Sequence, residues 1–209
     1  MSTIKKIRDL LKKTWNYLWN DDSIMSYILF LFFVFVIIKF VFFPSVSFIM
    51  GTSLPIVIVE SCSMYHGASF DTWWETNQNL YESRDIDKEQ FLSFPIKNGF
   101  SKGDIFIVKG VKSKDIKIGD IIIFVSGNSN RPIIHRVVSL DSIQTKGDNN
   151  ILQFTGNNNG EKIDETNITE SQIIGKVVGF KIPALGWFKL IFYEPFRSSS
   201  ERGFCKAHT

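Results

Sequence analysis

Apolar and polar positions divide this chain into an anchor-like start and a strand-rich remainder. Met25–Phe43 reads MSYILFLFFVFVIIKFVFF, an apolar run with a single charge, Lys39, near its end. As a helix it extends roughly 28 Å at about 1.5 Å per residue, close to the thickness of a hydrocarbon core. Lys39 snorkels to the interface along its own stem, and Pro44 is expected to end the helix. Ahead of the run, Ile4, Ile7, Leu11, Trp15, Leu18 and Trp19 recur at helical spacing, with the lysines on the opposite face. Residues 1–24 therefore read as a basic amphipathic segment on the inner membrane surface; a solvated, frayed tail is the other reading.

Beyond residue 44 the pattern shortens. Residues 52–63 are a strand-like apolar stretch. Residues 69–93 set Phe70, Trp73, Trp74, Leu80, Tyr81 and Phe91 among Asp, Glu, Asn and Gln. Asp71 is placed to cap a helix over 72–83 and Asp87 a second short one, which makes 69–93 a small helical insertion. Trp73 and Trp74 suit either the membrane interface or the β core. From residue 103, IFIVKG, IIIFV, IIHRVVSL and IIGKVVGFKI (173–182) are short runs punctuated by Gly, Pro and Asn. They predict a mainly β domain over 44–195, sandwich or barrel-like. Residues 147–167 read as a long polar loop. Ala184–Phe192 is apolar but too short to span, and 196–209 reads as a loose polar tail.

Flanking charge orients the anchor. Lys5, Lys6, Arg8, Lys12 and Lys13 precede the apolar run, while residues 44–59 carry no Lys or Arg. The basic side is expected in the cytoplasm, with everything after residue 44 outside. The long polar start and the length of the run disfavour a cleavable signal peptide. A formal net charge of +3 over 209 residues gives no argument for nucleic acid. Two cysteines, Cys62 and Cys205, make no disulfide framework and no metal-ligand spacing, and both are expected to be free thiols.

The chemistry gathers at the end of the first strand-like stretch, Glu60-Ser61-Cys62-Ser63-Met64. In an extended strand Ser61 and Ser63 share a face, with Cys62 opposite. One hydroxyl can attack an acyl carbon while the other donates to the oxyanion. A serine nucleophile needs a base, and histidine suits neutral pH. His135 lies in Ile-Ile-His-Arg-Val-Val, where alternation groups it with Ile133 and Val137 and turns Arg136 the other way. His66, three residues from Ser63, is the rival. Asp148 and Asp164 are the acids available to orient the imidazole.

Together these segments resemble type I signal peptidases of the archaeal and endoplasmic-reticulum branch. The resemblance runs from about residue 25 to 195. It rests on Glu60–Met64, Gly103-Asp104 with IFIV, Gly119-Asp120 with IIIF, Ile133–Val138, Thr145–Asn150 and Ile173–Val178, in family order. It implies a signal-peptidase-like β domain behind a transmembrane helix. It also implies Ser63 as nucleophile, Ser61 and the Ser63 backbone N–H as oxyanion donors, and His135 where the bacterial branch has a lysine base. Asp148 matches the Gly-Asp-Asn motif. The family's further acid normally follows a few residues later, where this chain has Ile151–Phe154. Asp164 is therefore the expected triad acid, with Asp148 in close support. His66 stands where many relatives have proline, and the 69–93 insertion is not part of the family's common core.

What the resemblance implies is a membrane-anchored serine endopeptidase removing signal peptides from exported preproteins, in contact with membrane lipid and the export machinery. Substrate would lie as an added strand beside Ile58, Val59 and Glu60. No cofactor or metal is expected. Two alternatives stand beside it: a catalytically silent anchored relative that binds exported chains, and a protease dedicated to one surface protein.

Overall fold

The structure is a computed structural model; it describes residues 2–127, 131–158 and 161–206. The chain divides into two compact units, Met1–Ile49 and Met50–Thr209.

In the first unit, α1 (Ser2–Asn20) is the amphipathic helix that the spacing predicts. Trp15 and Trp19 stack along it at 4.8 Å. Ser23 caps α2 (Ile24–Ile37) by accepting the Ser26 N–H at 3.2 Å, and the Ser26 hydroxyl donates to the Tyr17 carbonyl at 2.6 Å. The helix does not end at Pro44. It passes through a π turn, Ile38–Phe42, into α3 (Phe43–Met50). Proline lacks an N–H and its ring crowds the carbonyl one turn back. The wider π turn, in which the Phe43 N–H reaches the Ile38 carbonyl, supplies the room upstream of it. Ile24–Met50 is thus one 27-residue stretch, long and apolar enough to cross a membrane by length and composition.

The second unit is mainly β. Its strands are β1 (Ile56–Ile58), β2 (Ile105–Lys109), β3 (Ile121–Phe124), β4 (Ile133–Ser139), β5 (Gln144–Lys146), β6 (Thr155–Asn158), β7 (Glu161–Asp164) and β8 (Ile173–Ile182). Six make an antiparallel sheet in the order β1-β2-β8-β3-β4-β5, and β6 and β7 form a separate hairpin. The sheet is open, with β1 and β5 as its edges, rather than the expected sandwich or barrel. The apolar runs predict β2, β3, β4 and β8 closely. The β6–β7 hairpin falls inside the stretch that reads as a polar loop, because Thr, Gly, Asn, Glu and Lys there carry no alternation.

Both faces of the sheet are covered, so every residue of β3 is buried. Val59, Met64, Phe100, Phe106 and Ile121 form one cluster, and Ile116, Ile122, Phe124, Val137 and Ile168 another. The third belongs to the insertion. Here α4 (Phe70–Glu82) is capped by Ser69, which accepts the Thr72 N–H; Asp71, the expected cap, sits in the first turn instead. Asp87 caps α5 (Lys88–Ser93), as its position predicts. Trp73, Trp74, Tyr81, Ile86 and Phe91 close on Val138 of β4. Trp73 and Trp74 thus pack on the β core, 4% and 2% exposed.

After β8 a single helical turn, α6 (Trp187–Leu190), buries Leu190. As far as residue 206 the tail beyond it is held, 207–209 lying outside the described residues, and the cysteines are not free. Cys62 and Cys205 form a disulfide with a Cα–Cα separation of 5.5 Å across 143 residues. Sequence spacing carries no trace of this pairing, because tertiary contacts of the tail set its path.

Phe91 is fully buried at the centre of the insertion cluster, in ring contact with Trp73, Trp74 and Tyr81. Phe91→Ala is expected to lower unfolding free energy by about 3–5 kcal/mol in a denaturant titration. A loss below about 1 kcal/mol would show that the insertion is not part of the cooperative core.

Candidate active site

The first strand is shorter than the sequence suggests. It ends at Ile58, and Ser61–Met64 form a turn in which the Tyr65 N–H returns to the Cys62 carbonyl at 3.1 Å. The turn, rather than strand alternation, brings the Ser61 and Ser63 hydroxyls to 3.2 Å. Asn149 fixes it from outside. Its N–H donates to the Ser63 carbonyl at 2.7 Å and its side-chain amide to the Cys62 carbonyl at 3.0 Å. On the other side the Phe100 N–H holds the Met64 carbonyl at 2.9 Å.

His135, on β4, faces this turn. Its Nε2 lies 2.9 Å from Ser63 Oγ. Its Nδ1 contacts a carboxylate, and that carboxylate belongs to Glu165. Asp164, the expected triad acid, instead accepts the N–H and hydroxyl of Thr166 at 2.9 and 2.7 Å. The carboxylate at the imidazole lies one residue beyond Asp164, for a clear cause. Successive residues at the end of a strand face opposite ways, and β7 ends at Asp164 with Glu165 turned inward. The Glu165 side chain is fully buried. Its Oε1 accepts the Thr145 hydroxyl at 3.0 Å and its Oε2 the Phe154 N–H at 2.8 Å. Both orient the carboxylate toward the imidazole. Because a carboxylate can only accept, it holds the proton on Nδ1 and leaves Nε2 as the basic nitrogen facing Ser63. Gly147 closes the site beside the ring; a Cβ there would lie 2.8 Å from His135 Nε2. The only signal in the sequence for Glu165 is that it directly follows Asp164 in Ile-Asp-Glu, a second carboxylate at the same place.

Asp148 does not touch His135. It is completely buried on the other side of β4, against Arg136. The guanidinium reaches it at 2.8 Å through Nη2 and 3.0 Å through Nε. The Tyr81 hydroxyl donates at 2.9 Å and His66 Nε2 lies at 3.0 Å. Burial pushes the Asp148 carboxyl up, but the Arg136 charge and the bonds from His66 and Arg136 outweigh it and hold it well below the usual carboxylate range. Burial also dominates at Lys146, lowering its ammonium to about 8 against the pull of Asp148 and Glu165. His66, the rival base, therefore belongs to the Asp148 cluster, stacked on Trp73 at 3.7 Å.

The edge strand β1 runs toward Ser63. Pro55 accepts the N–H of Val108 in β2, and Val59 bonds through its backbone to Asp104 and Gly103 just before that strand. By the antiparallel alternation Ile56, Ile58 and Glu60 turn their backbone groups to the open edge. Of the residues expected to meet substrate, Ile58 and Glu60 face that edge, while Val59 is buried with its backbone bonded toward β2. A cleft of about 610 Å³ lined by Gly51, Lys109, Lys112 and Lys176, among others, shares none of these residues. Among the described residues no His, Cys, Asp and Glu side chains group as a metal would require.

Chemically, a hydroxyl, an imidazole and a carboxylate in series beside a second hydroxyl can deprotonate an alcohol and donate to an oxyanion. No protein-family model matches this sequence, and no curated protein matches it.

The Asp148 cluster sets an acid limit on stability. The folded carboxyl lies below its unfolded value of 3.8. As pH falls below about 4 the unfolded chain therefore binds the proton first, and stability drops. Asp148→Asn is expected to cost about 3–5 kcal/mol at neutral pH by stranding Arg136. It should also flatten the fall in melting temperature below about pH 4. An equally steep acid limb in the variant would place the pH sensitivity elsewhere.

Proposed function

We propose that this protein is a membrane-anchored serine endopeptidase of the signal peptidase type, cleaving signal peptides from exported preproteins. The observation that carries the reading is the chain Ser63 Oγ, His135 Nε2 at 2.9 Å, and Glu165 on His135 Nδ1. It stands at the end of an edge strand with outward-facing backbone. The apolar helix Ile24–Met50 supports a membrane location, and the basic residues before it support a cytoplasmic start with the second unit outside.

Substrate adds as a strand along Ile56–Glu60, held by main-chain bonds. Ser63 attacks the scissile carbonyl while His135 takes its proton, and Glu165 stabilises the imidazolium that forms. Ser61 Oγ, 3.2 Å from Ser63 Oγ, and the Ser63 N–H donate to the oxyanion. His135 then passes the proton to the leaving amine, and water enters to hydrolyse the acyl-enzyme by the same route. The chemistry draws on side chains and backbone of this chain alone. Its partners in this reading are preprotein signal peptides, membrane lipid and the export machinery.

The test is cleavage of a model preprotein by the purified full chain in detergent or liposomes. Ser63→Ala and His135→Ala are expected to remain folded and to abolish cleavage at the signal junction. Glu165→Gln should lower kcat by about 10³- to 10⁴-fold, since it frees the imidazole tautomer. Asp164→Asn should stay within a few-fold of wild type. Comparable cleavage by wild type and Ser63→Ala removes the mechanism. A large loss in Asp164→Asn with an active Glu165→Gln would return the role of acid to Asp164.

A further inference from the structure

The C-terminal segment crosses the end of the strand edge to which the peptidase reading assigns substrate, and the role inferred for that segment rests on the same reading. Arg197 Nη1 donates to the Glu60 carbonyl at 2.9 Å and Nη2 to the Glu60 carboxylate at 2.6 Å. That carbonyl faces the open edge, so it is an acceptor that an added strand would use nearest the nucleophile. Arg202 folds back on the same segment, donating to the carbonyls of Arg197 and Pro195 at 2.8 and 2.9 Å. The base is held by Lys102, whose side chain is 1% exposed. Its ammonium pairs with Glu194 at 2.6 Å and donates to the Glu201 carbonyl at 2.7 Å.

The far end is closed covalently. Cys205 is joined to Cys62, the residue immediately before Ser63. Both cysteines are partly exposed, so a reagent can reach them. Glu60 is 46% exposed at its side chain, and an ion pair so open to water is weak alone. The disulfide keeps Arg197 at a high effective concentration beside it.

We propose that residues 194–206 form a strap that occupies the end of the substrate edge through Arg197, and that reduction of Cys62–Cys205 by a dithiol releases it. One thiolate of the reductant attacks a cysteine sulfur, and the departing cysteine thiolate takes a proton. The second reductant thiolate then displaces the other cysteine. The protein disulfide gains two electrons and two protons, and the dithiol becomes a disulfide. With the tether gone, a peptide N–H competes with Arg197 for the Glu60 carbonyl.

The experiment uses the full chain in detergent, oxidised and after dithiothreitol. It measures kcat/KM for an extended peptide, the rate of Ser63 labelling by a small fluorophosphonate, and hydrogen exchange over 194–206. Reduction, Cys205→Ser and Arg197→Ala are each expected to raise peptide kcat/KM by about tenfold, the worth of one displaced charge-assisted hydrogen bond. Labelling should stay unchanged, and Cys205→Ser should no longer respond to dithiothreitol. Unchanged or lower kcat/KM in both variants, with labelling intact, overturns the strap. A chain that neither labels nor cleaves in either state counts against the peptidase reading instead. Exchange then decides the strap: acceleration of about tenfold or more over 194–206 on reduction supports it, and unchanged exchange overturns it.

Discussion

The ion pair between Arg136 and Asp148 is the constraint on which the second unit depends. Both side chains are completely buried, and a lone charge at either position would be costly. Asp148 also meets the Tyr81 hydroxyl and His66. Arg136 directs its remaining N–H groups to the carbonyls of Pro95, Ile96 and Gly119. A single carboxylate therefore ties together β4, the turn after β5, the insertion and the loop after Ser63. None of these can shift without breaking a hydrogen bond to this buried carboxylate.

That arrangement gives β4 two jobs on its two faces. His135 and Val137 look toward the Ser61–Met64 turn and the second core, while Arg136 and Val138 look toward the insertion. The Phe91 ring lies 4.8 Å from the Arg136 guanidinium, which helps a cation remain buried. The insertion is thus the lid over the buried charge cluster. Asn149, next in the chain to Asp148, carries the same rigidity across to the Ser63 and Cys62 carbonyls. The turn that carries the Ser63 hydroxyl is held by a polar network rooted behind the sheet.

The edge strand shows the opposite design. The backbone groups of Ile56 and Ile58 that face outward make the sheet extensible, and exposed edges invite unwanted pairing. A short strand of three residues, ended by a turn, limits that hazard. Arg197 and the disulfide-linked tail cover its last outward carbonyl. The same outward groups that leave the edge open to an added strand thus also need a cover.

Much of this was legible in the amino-acid sequence because the signals were local. Short apolar runs between turn residues marked β2, β3, β4 and β8, and uniform hydropathy marked the long helix. The serine pair after the first apolar run and His135 within a later one stood out as candidate chemistry. Other features were set by contacts distant in the chain. Glu165 rather than Asp164 meets His135 because the β6–β7 hairpin determines which side chain turns inward, and that hairpin has no period-two signal. Pro44 stays helical because a π turn upstream makes room for its ring. Cys62 meets Cys205 because Lys102 and Glu194 route the tail across the sheet edge. The sequence by itself determined which segments bury apolar surface and which residues could carry the chemistry, since periodicity and side-chain type are properties of neighbours. Only the tertiary structure decided which carboxylate and which cysteine pair up, because a one-residue change of face or a long loop closure leaves no local trace.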